Sequence, residues 1–183
     1  MAVTKANRAD ARAEEEPAGY QLFILRHGIA ADRESFAGED AERPLTPKGR
    51  KRLARIAAEL GKLGYGFDWI VTSPLTRAAE TAEIIAVSQQ PKPSVDVCAA
   101  LRPGGSLEEL LAFLAKNPAR SVMLVGHEPD LSLLAGRLIG AGREANLEFR
   151  KGGCCLIEYD GLPERNTGRL VWWLTPKVLR ATR

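Results

Sequence analysis

The chain has 183 residues, 45% of them hydrophobic and 27% charged, which suits one domain with a sizeable core. Its formal charge is +3, from 26 Lys and Arg against 23 Asp and Glu, and the basic residues are scattered and matched by acids, so no basic stripe calls for nucleic acid. The opening residues hold no apolar core of signal-peptide length, and nowhere do about 18 apolar residues run together, so the expectation is a cytoplasmic protein without a membrane span.

In chain order, residues 1–18 are rich in Ala, Glu and Arg without an apolar face and read as a mobile tail. Tyr20 to Leu25 is a short apolar run ending near Gly28, as a buried strand does. Leu45-Thr46-Pro47 supplies a helix start, with Thr46 as N-cap and Pro47 where its missing N–H costs nothing. Leu53, Ile56, Ala57, Leu60 and Leu63 follow at helical spacing, and Gly64 is the stop. Trp69 to Thr72 reads as a strand, after which Ser73-Pro74 repeats the cap-plus-proline device and opens a helix to about Val87. Ser106 and Glu109 have capping-box spacing ahead of Leu107, Leu110, Leu111 and Leu114, a helix ending near Asn117-Pro118. Ser121 to Val125 is the next strand, and a helix carrying Leu131, Leu134 and Leu138 follows Pro129. Gly153 to Tyr159 and Arg169 to Leu174 flank a Gly/Pro/Asn-rich loop as a hairpin would. This alternation predicts an α/β sandwich with a mainly parallel central sheet and an antiparallel edge. The three cysteines, Cys98, Cys154 and Cys155, lack a CxxC spacing, so neither a zinc site nor a disulfide framework is expected; the adjacent pair reads as small apolar residues in a strand.

Three of these strands run into polar residues. Leu25 leads into Arg26-His27-Gly28, Thr72 into Ser73-Pro74-Leu75-Thr76-Arg77, and Val125 into Gly126-His127-Glu128. Open parallel sheets place ligands at the carboxyl ends of their strands, so the only two histidines and two arginines can converge there. Arg77, in the first turn of its helix, adds a guanidinium to a terminus that already favours anions. Two guanidiniums suit the oxygens of a phosphoryl group, and a neutral imidazole, with reference pKa about 6.5, is an available nucleophile for phosphorus. No metal or cofactor is needed for that chemistry.

In the order LRHG, SPLTRAAETA, VGHEPDLS, the chain resembles the histidine phosphatase superfamily, and more closely its short SixA-like branch, the phosphohistidine phosphatases. RPLTPKGRKR, LRPGG and the terminal VWWLTP extend that likeness over about residues 20 to 176. The resemblance implies a three-layer α/β/α, phosphoglycerate mutase-like fold in a single domain over 19–183. It further implies His27 as a nucleophile that becomes phosphorylated, Arg26 and Arg77 as phosphoryl ligands, and His127 as the residue that completes the pocket. Arg43, in ERPLT, matches a branch arginine near the phosphate site. Many superfamily members carry an inserted segment with a carboxylate that protonates the leaving oxygen, and the stretch between Val87 and Leu101 is too short for much of one. An alkoxide leaving group needs that proton badly, because water-like oxygen has a pKa near 15.7, whereas an imidazole nitrogen needs far less help. Phosphohistidine on a partner protein such as a phosphotransfer domain is therefore the expected substrate. The alternatives are a small phosphorylated metabolite, for which Asp32, Glu34, Glu128 or Asp130 would serve as acid, and a non-catalytic phosphoanion-binding module.

Overall fold

The computed structural model describes residues 19–142 and 145–181. The tail expected at 1–18 lies outside the described residues. Six strands form one sheet: β1 (Tyr20–Arg26), β2 (Trp69–Thr72), β3 (Ser94–Val97), β4 (Ser121–Gly126), β5 (Cys154–Tyr159) and β6 (Arg169–Leu174), in the order β3-β2-β4-β1-β5-β6. The first four in that order are parallel, and β5 and β6 form the antiparallel edge.

Period-two alternation divides the core between the two faces of the sheet. Leu22 and Ile24 of β1, Val122 and Leu124 of β4, and Cys155 and Ile157 of β5 pack under α3 (Leu107–Leu114) and α4 (Asp130–Leu138). Phe23, Leu25, Met123, Val125, Cys154 and Leu156 face the opposite way, under α1 (Pro47–Lys62), α2 (Thr76–Ala86) and the short α5 (Pro176–Leu179). The result is the α/β/α sandwich with a mixed sheet. Cys154 and Cys155 sit on opposite faces, both free and buried, as small apolar fillers.

Thr46 caps α1 by accepting the Gly49 N–H, and Ser106 caps α3 by accepting that of Glu109. Gly64 adopts φ +81°, the left-handed turn that ends α1. The segment after β2 departs from expectation: α2 begins at Thr76 with Leu75 as N-cap, so Ser73-Pro74 precedes the helix instead of opening it. Leu63, expected on the apolar face of α1, is the C-cap residue and 47% exposed. Strand β3, of which only Val95 is partly buried, and α5 have no counterpart in the hydrophobic pattern; each is too short or too exposed to leave one.

Candidate active site

Parallel register aligns the carboxyl ends of the central strands. Arg26 pairs with Gly126 and Thr72 with Val125. The ladder continues one step beyond: the His27 N–H donates to the Gly126 carbonyl (3.1 Å) and the Ser73 N–H to the Val125 carbonyl (3.0 Å). His27, Ser73 and His127 thus sit side by side, with the imidazole centroids 5.1 Å apart. All three are buried, His27 at 6% and His127 at 3% exposure.

The loop after β1 is clamped from several sides. The Gly28 N–H donates to Thr81 Oγ1 on α2, and that hydroxyl in turn donates to the Arg77 carbonyl. Gly28 itself leaves no room for a larger residue, since a Cβ there would stand 2.4 Å from Leu53 Cδ1 of α1. On the other flank the Arg26 N–H donates to the Gly153 carbonyl, and the Gly152 N–H to that of Arg26.

Each histidine has one nitrogen assigned by its partner. His27 Nδ1 lies 2.7 Å from the Gly28 carbonyl oxygen, which can only accept, so Nδ1 carries the proton and Nε2 keeps its lone pair. His127 Nε2 lies 2.8 Å from Ser73 Oγ. That hydroxyl accepts the Leu75 N–H, and among the described residues His127 Nε2 is the acceptor within reach of its own proton, which would otherwise be buried unpaired. His127 is then the Nδ1–H tautomer, and its Nδ1 is buried without a partner. A buried donor left unmade is costly, so this one needs an acceptor from a water or a bound anion. Burial pushes the His27 imidazole down to a pKa of about 3, aided by the nearby His127, Arg77 and Arg26 and opposed by the Gly28 carbonyl. Burial likewise brings His127 to about 4, with Arg77 the leading charge against it. Both rings are neutral at pH 7.

The arginines surround this pair. Arg26 Nη1 donates to the Phe149 carbonyl (2.6 Å), while its Nε is buried without a partner. Arg77 is the second residue of α2 and only 5% exposed; its Nη1 donates to the Asp40 carbonyl (2.7 Å) and its Nη2 to Asp40 Oδ2 (3.1 Å). Arg43 donates through Nε to Asp40 Oδ1 (2.9 Å) and through Nη1 to the Ala31 carbonyl (2.6 Å). The three predicted arginines and both histidines therefore lie together. Partial desolvation tends to raise the Asp40 carboxyl, but the hydrogen bonds and charges of Arg43 and Arg77 outweigh it and hold the pKa below its ordinary value.

The four carboxylates considered as acids are more dispersed. Asp32 caps a local turn, accepting the Glu34 and Ser35 N–H groups, and Glu34 is exposed beside it. Glu128 Oε1 accepts the Ser132 hydroxyl and the Phe149 N–H, bracing the backbone that holds Arg26. Asp130 accepts the Gly104 N–H and lines, with His127, Arg102 and Leu107, a cavity of about 260 Å³. Three polar groups escaped the sequence reading: Asp40, Ser73 as partner of His127, and Thr81. Ser73 was visible as a residue but was assigned to a helix cap; Asp40 lies in a loop whose only signal is its spacing of three residues from Arg43.

Among known proteins, the histidine phosphatase superfamily (branch 1) model matches residues 22–110. An uncharacterized protein of Picosynechococcus sp. is 43% identical over 136 residues, covering 73% of this chain and 81% of the relative. The phosphohistidine phosphatase SixA of Escherichia coli is 27% identical over 163 residues, covering 87% of this chain and 96% of SixA. A solved structure of the protein histidine phosphatase SixA complexed with tungstate superposes with a TM-score of 0.73 at 26% identity, covering 87% of this chain and 99% of that one. With the mixed-sheet sandwich and the paired histidines, these likenesses settle the family: the chain belongs to branch 1 of the histidine phosphatase superfamily, is SixA-like, and is a phosphatase.

Proposed function

We propose that this phosphatase removes the phosphoryl group from phosphohistidine on a partner protein, through a phospho-His27 intermediate and without a metal. The observation that carries the covalent step is the tautomer of His27: Nδ1–H is spent on the Gly28 carbonyl, leaving Nε2 as a neutral nucleophile in a pocket of guanidiniums.

Arg26 and Arg77 bind the phosphoryl oxygens, and the unpartnered His127 Nδ1–H donates to one of them as charge develops during transfer. Arg43 holds Asp40 and thereby the orientation of Arg77. The Nε2 lone pair of His27 attacks phosphorus and the P–N bond of the substrate breaks. With its distal nitrogen protonated from solvent, the departing ring leaves as neutral imidazole. Water then attacks phosphorus, breaks the bond to His27 and releases inorganic phosphate.

The placement of the carboxylates supports this leaving group. Asp32 and Glu34 serve or flank an exposed turn and Glu128 is engaged in bracing Phe149, so an alkoxide finds no obvious proton there. One feature favours a second reading: Asp130 lines the cavity beside His127, where a small phosphomonoester could meet a carboxylic acid. Phosphate release at neutral pH in EDTA separates the two, comparing a phosphohistidine peptide, a phosphoserine peptide and small phosphomonoesters. Selective turnover of phosphohistidine, lost in His27→Ala and retained in Asp130→Asn, is expected. Preference for small esters together with loss in Asp130→Asn would reverse the assignment.

A further inference from the structure

The balance of charges read from the totals does not hold locally. From Pro44 to Ala58 the chain carries Lys48, Arg50, Lys51, Arg52 and Arg55 and no acid. Arg50 is answered by Glu80 of α2. For Lys48, Lys51, Arg52 and Arg55, no carboxylate lies within ion-pair distance among the described residues. Arg55 donates to the Arg180 carbonyl (3.2 Å), and the Arg180 guanidinium is made less basic by burial and then by repulsion from Arg52 and Arg55. Cations in the first turn, here Lys48 and Arg50, also oppose the helix dipole, which favours acids at that end. Helix stability therefore gives no reason for this composition.

The basic face adjoins the site. The inner side of α1 braces the nucleophile loop: a Cβ on Gly49 would stand 2.2 Å from the Ile29 carbonyl oxygen, and Leu53 closes on Gly28. Exposed Lys151 and Arg150, the latter paired with Glu148 at 3.8 Å, belong to the turn that holds the Arg26 backbone, and exposed Lys177 lies on α5 beside Arg180. Lys48 and Arg55 alone are about 10 Å apart along the helix, so a small phosphoester held at His27 cannot cover the face. Among the described residues no aromatic ring is fully exposed, and none lies on α1, so this face offers nothing for stacking of single-stranded nucleic acid.

Resting on the reading that the phosphoryl donor is a protein, we infer that the outer face of α1, continued by α5 and the 150–153 turn, docks an acidic face of that folded partner. The partner's carboxylates replace the missing counter-charges, and its phosphohistidine enters the adjoining pocket.

The test is fluorescence anisotropy of the full chain with an unphosphorylated, acidic phosphotransfer domain at low and high ionic strength. Three proteins are compared: wild type, Lys48→Ala/Arg52→Ala/Arg55→Ala, and the corresponding triple Glu variant. Binding should weaken about tenfold in the alanine variant and further in the glutamate variant, and high salt should erase the differences. Hydrolysis of p-nitrophenyl phosphate should stay at the wild-type level in both, which also shows that they fold. Equal binding by all three proteins, no binding by wild type, or equally tight charge-dependent binding to a DNA oligonucleotide would overturn the inference. Phosphohistidine turnover is measured separately, so docking without turnover faults the donor assignment, and turnover without charge-dependent docking faults the surface.

Discussion

At the scale of single residues, the proposed mechanism depends on which nitrogen of each histidine holds a proton. Ser73→Ala removes the hydroxyl that assigns the His127 tautomer, leaves the fold unaltered and should lower kcat roughly 10- to 100-fold with little change in KM. Nitrogen NMR of His127 is the decisive readout: a single Nδ1–H form in wild type, a tautomer mixture in Ser73→Ala. A purely structural role for Ser73 would leave that spectrum alone. Asp40→Asn takes a negative charge from between Arg77 and Arg43. Inorganic phosphate should then inhibit more strongly, since the guanidiniums lose a competing anion, while kcat falls as Arg77 loses its guide. Unchanged phosphate inhibition would show that Asp40 does not bear on the anion site.

The same histidines link stability to pH. Their folded pKa values, about 3 and about 4, lie below the value of about 6.5 for an unfolded histidine. Between those limits the unfolded chain binds protons that the folded chain does not, so stability is full above about pH 6.5 and declines as pH falls toward 4. Thermal melts near pH 7 and near pH 5 should show a lower Tm at the acid end, with a smaller drop in a His27→Gln/His127→Gln variant. An equal drop in both proteins would assign the effect to other groups.

Among the elements, α1 shows how the fold and the site depend on one packing contact. Gly49→Ala sets a methyl against the Ile29 backbone, which a side-chain rearrangement cannot relieve. Overpacking of this kind costs about 1–3 kcal/mol, and here it also pushes on the loop that carries His27. Both Tm and kcat should fall, whereas Ala54→Gly, on the exposed side of the same helix, should cost about 1 kcal/mol with a smaller effect on rate. Equal losses of rate in the two variants would mean that the contact with Ile29 has no special bearing on the site. The elements that were legible in the sequence are those with a strong periodic face or a cap: β1, α1, β2, α2 apart from its start, α3, β4, α4 and the final hairpin. Strand β3 was not, because a four-residue edge strand with only Val95 partly buried leaves no alternation to read. Ser73 was misassigned because its local pattern, Ser-Pro before a helical run, matches a cap, while its true partner lies 54 residues away.

For the whole molecule, the sheet order explains why the sequence could place the four central residues and not their supports. Arg26 ends β1, His27 and His127 each follow a strand directly, and Arg77 opens the helix after β2; parallel neighbours bring those strand ends together. Asp40, Thr81 and the Phe149 carbonyl reach the site through loop paths and helix packing, which no short-range pattern encodes. Among the described residues no helix is long and apolar enough to cross a membrane. The sheet edge that gathers the histidines is braced by the inner side of α1, through Gly49 against Ile29 and Leu53 against Gly28.

Trapping the covalent intermediate tests the central claim most directly. Wild type is mixed with a radiolabelled phosphohistidine peptide, quenched in alkali within the first turnover, and digested for mapping of the label. The account predicts a burst of acid-labile, alkali-stable label on the peptide containing His27, absent from His27→Ala. Turnover by wild type with no protein-bound label at any quench time, or label on another residue, would contradict it.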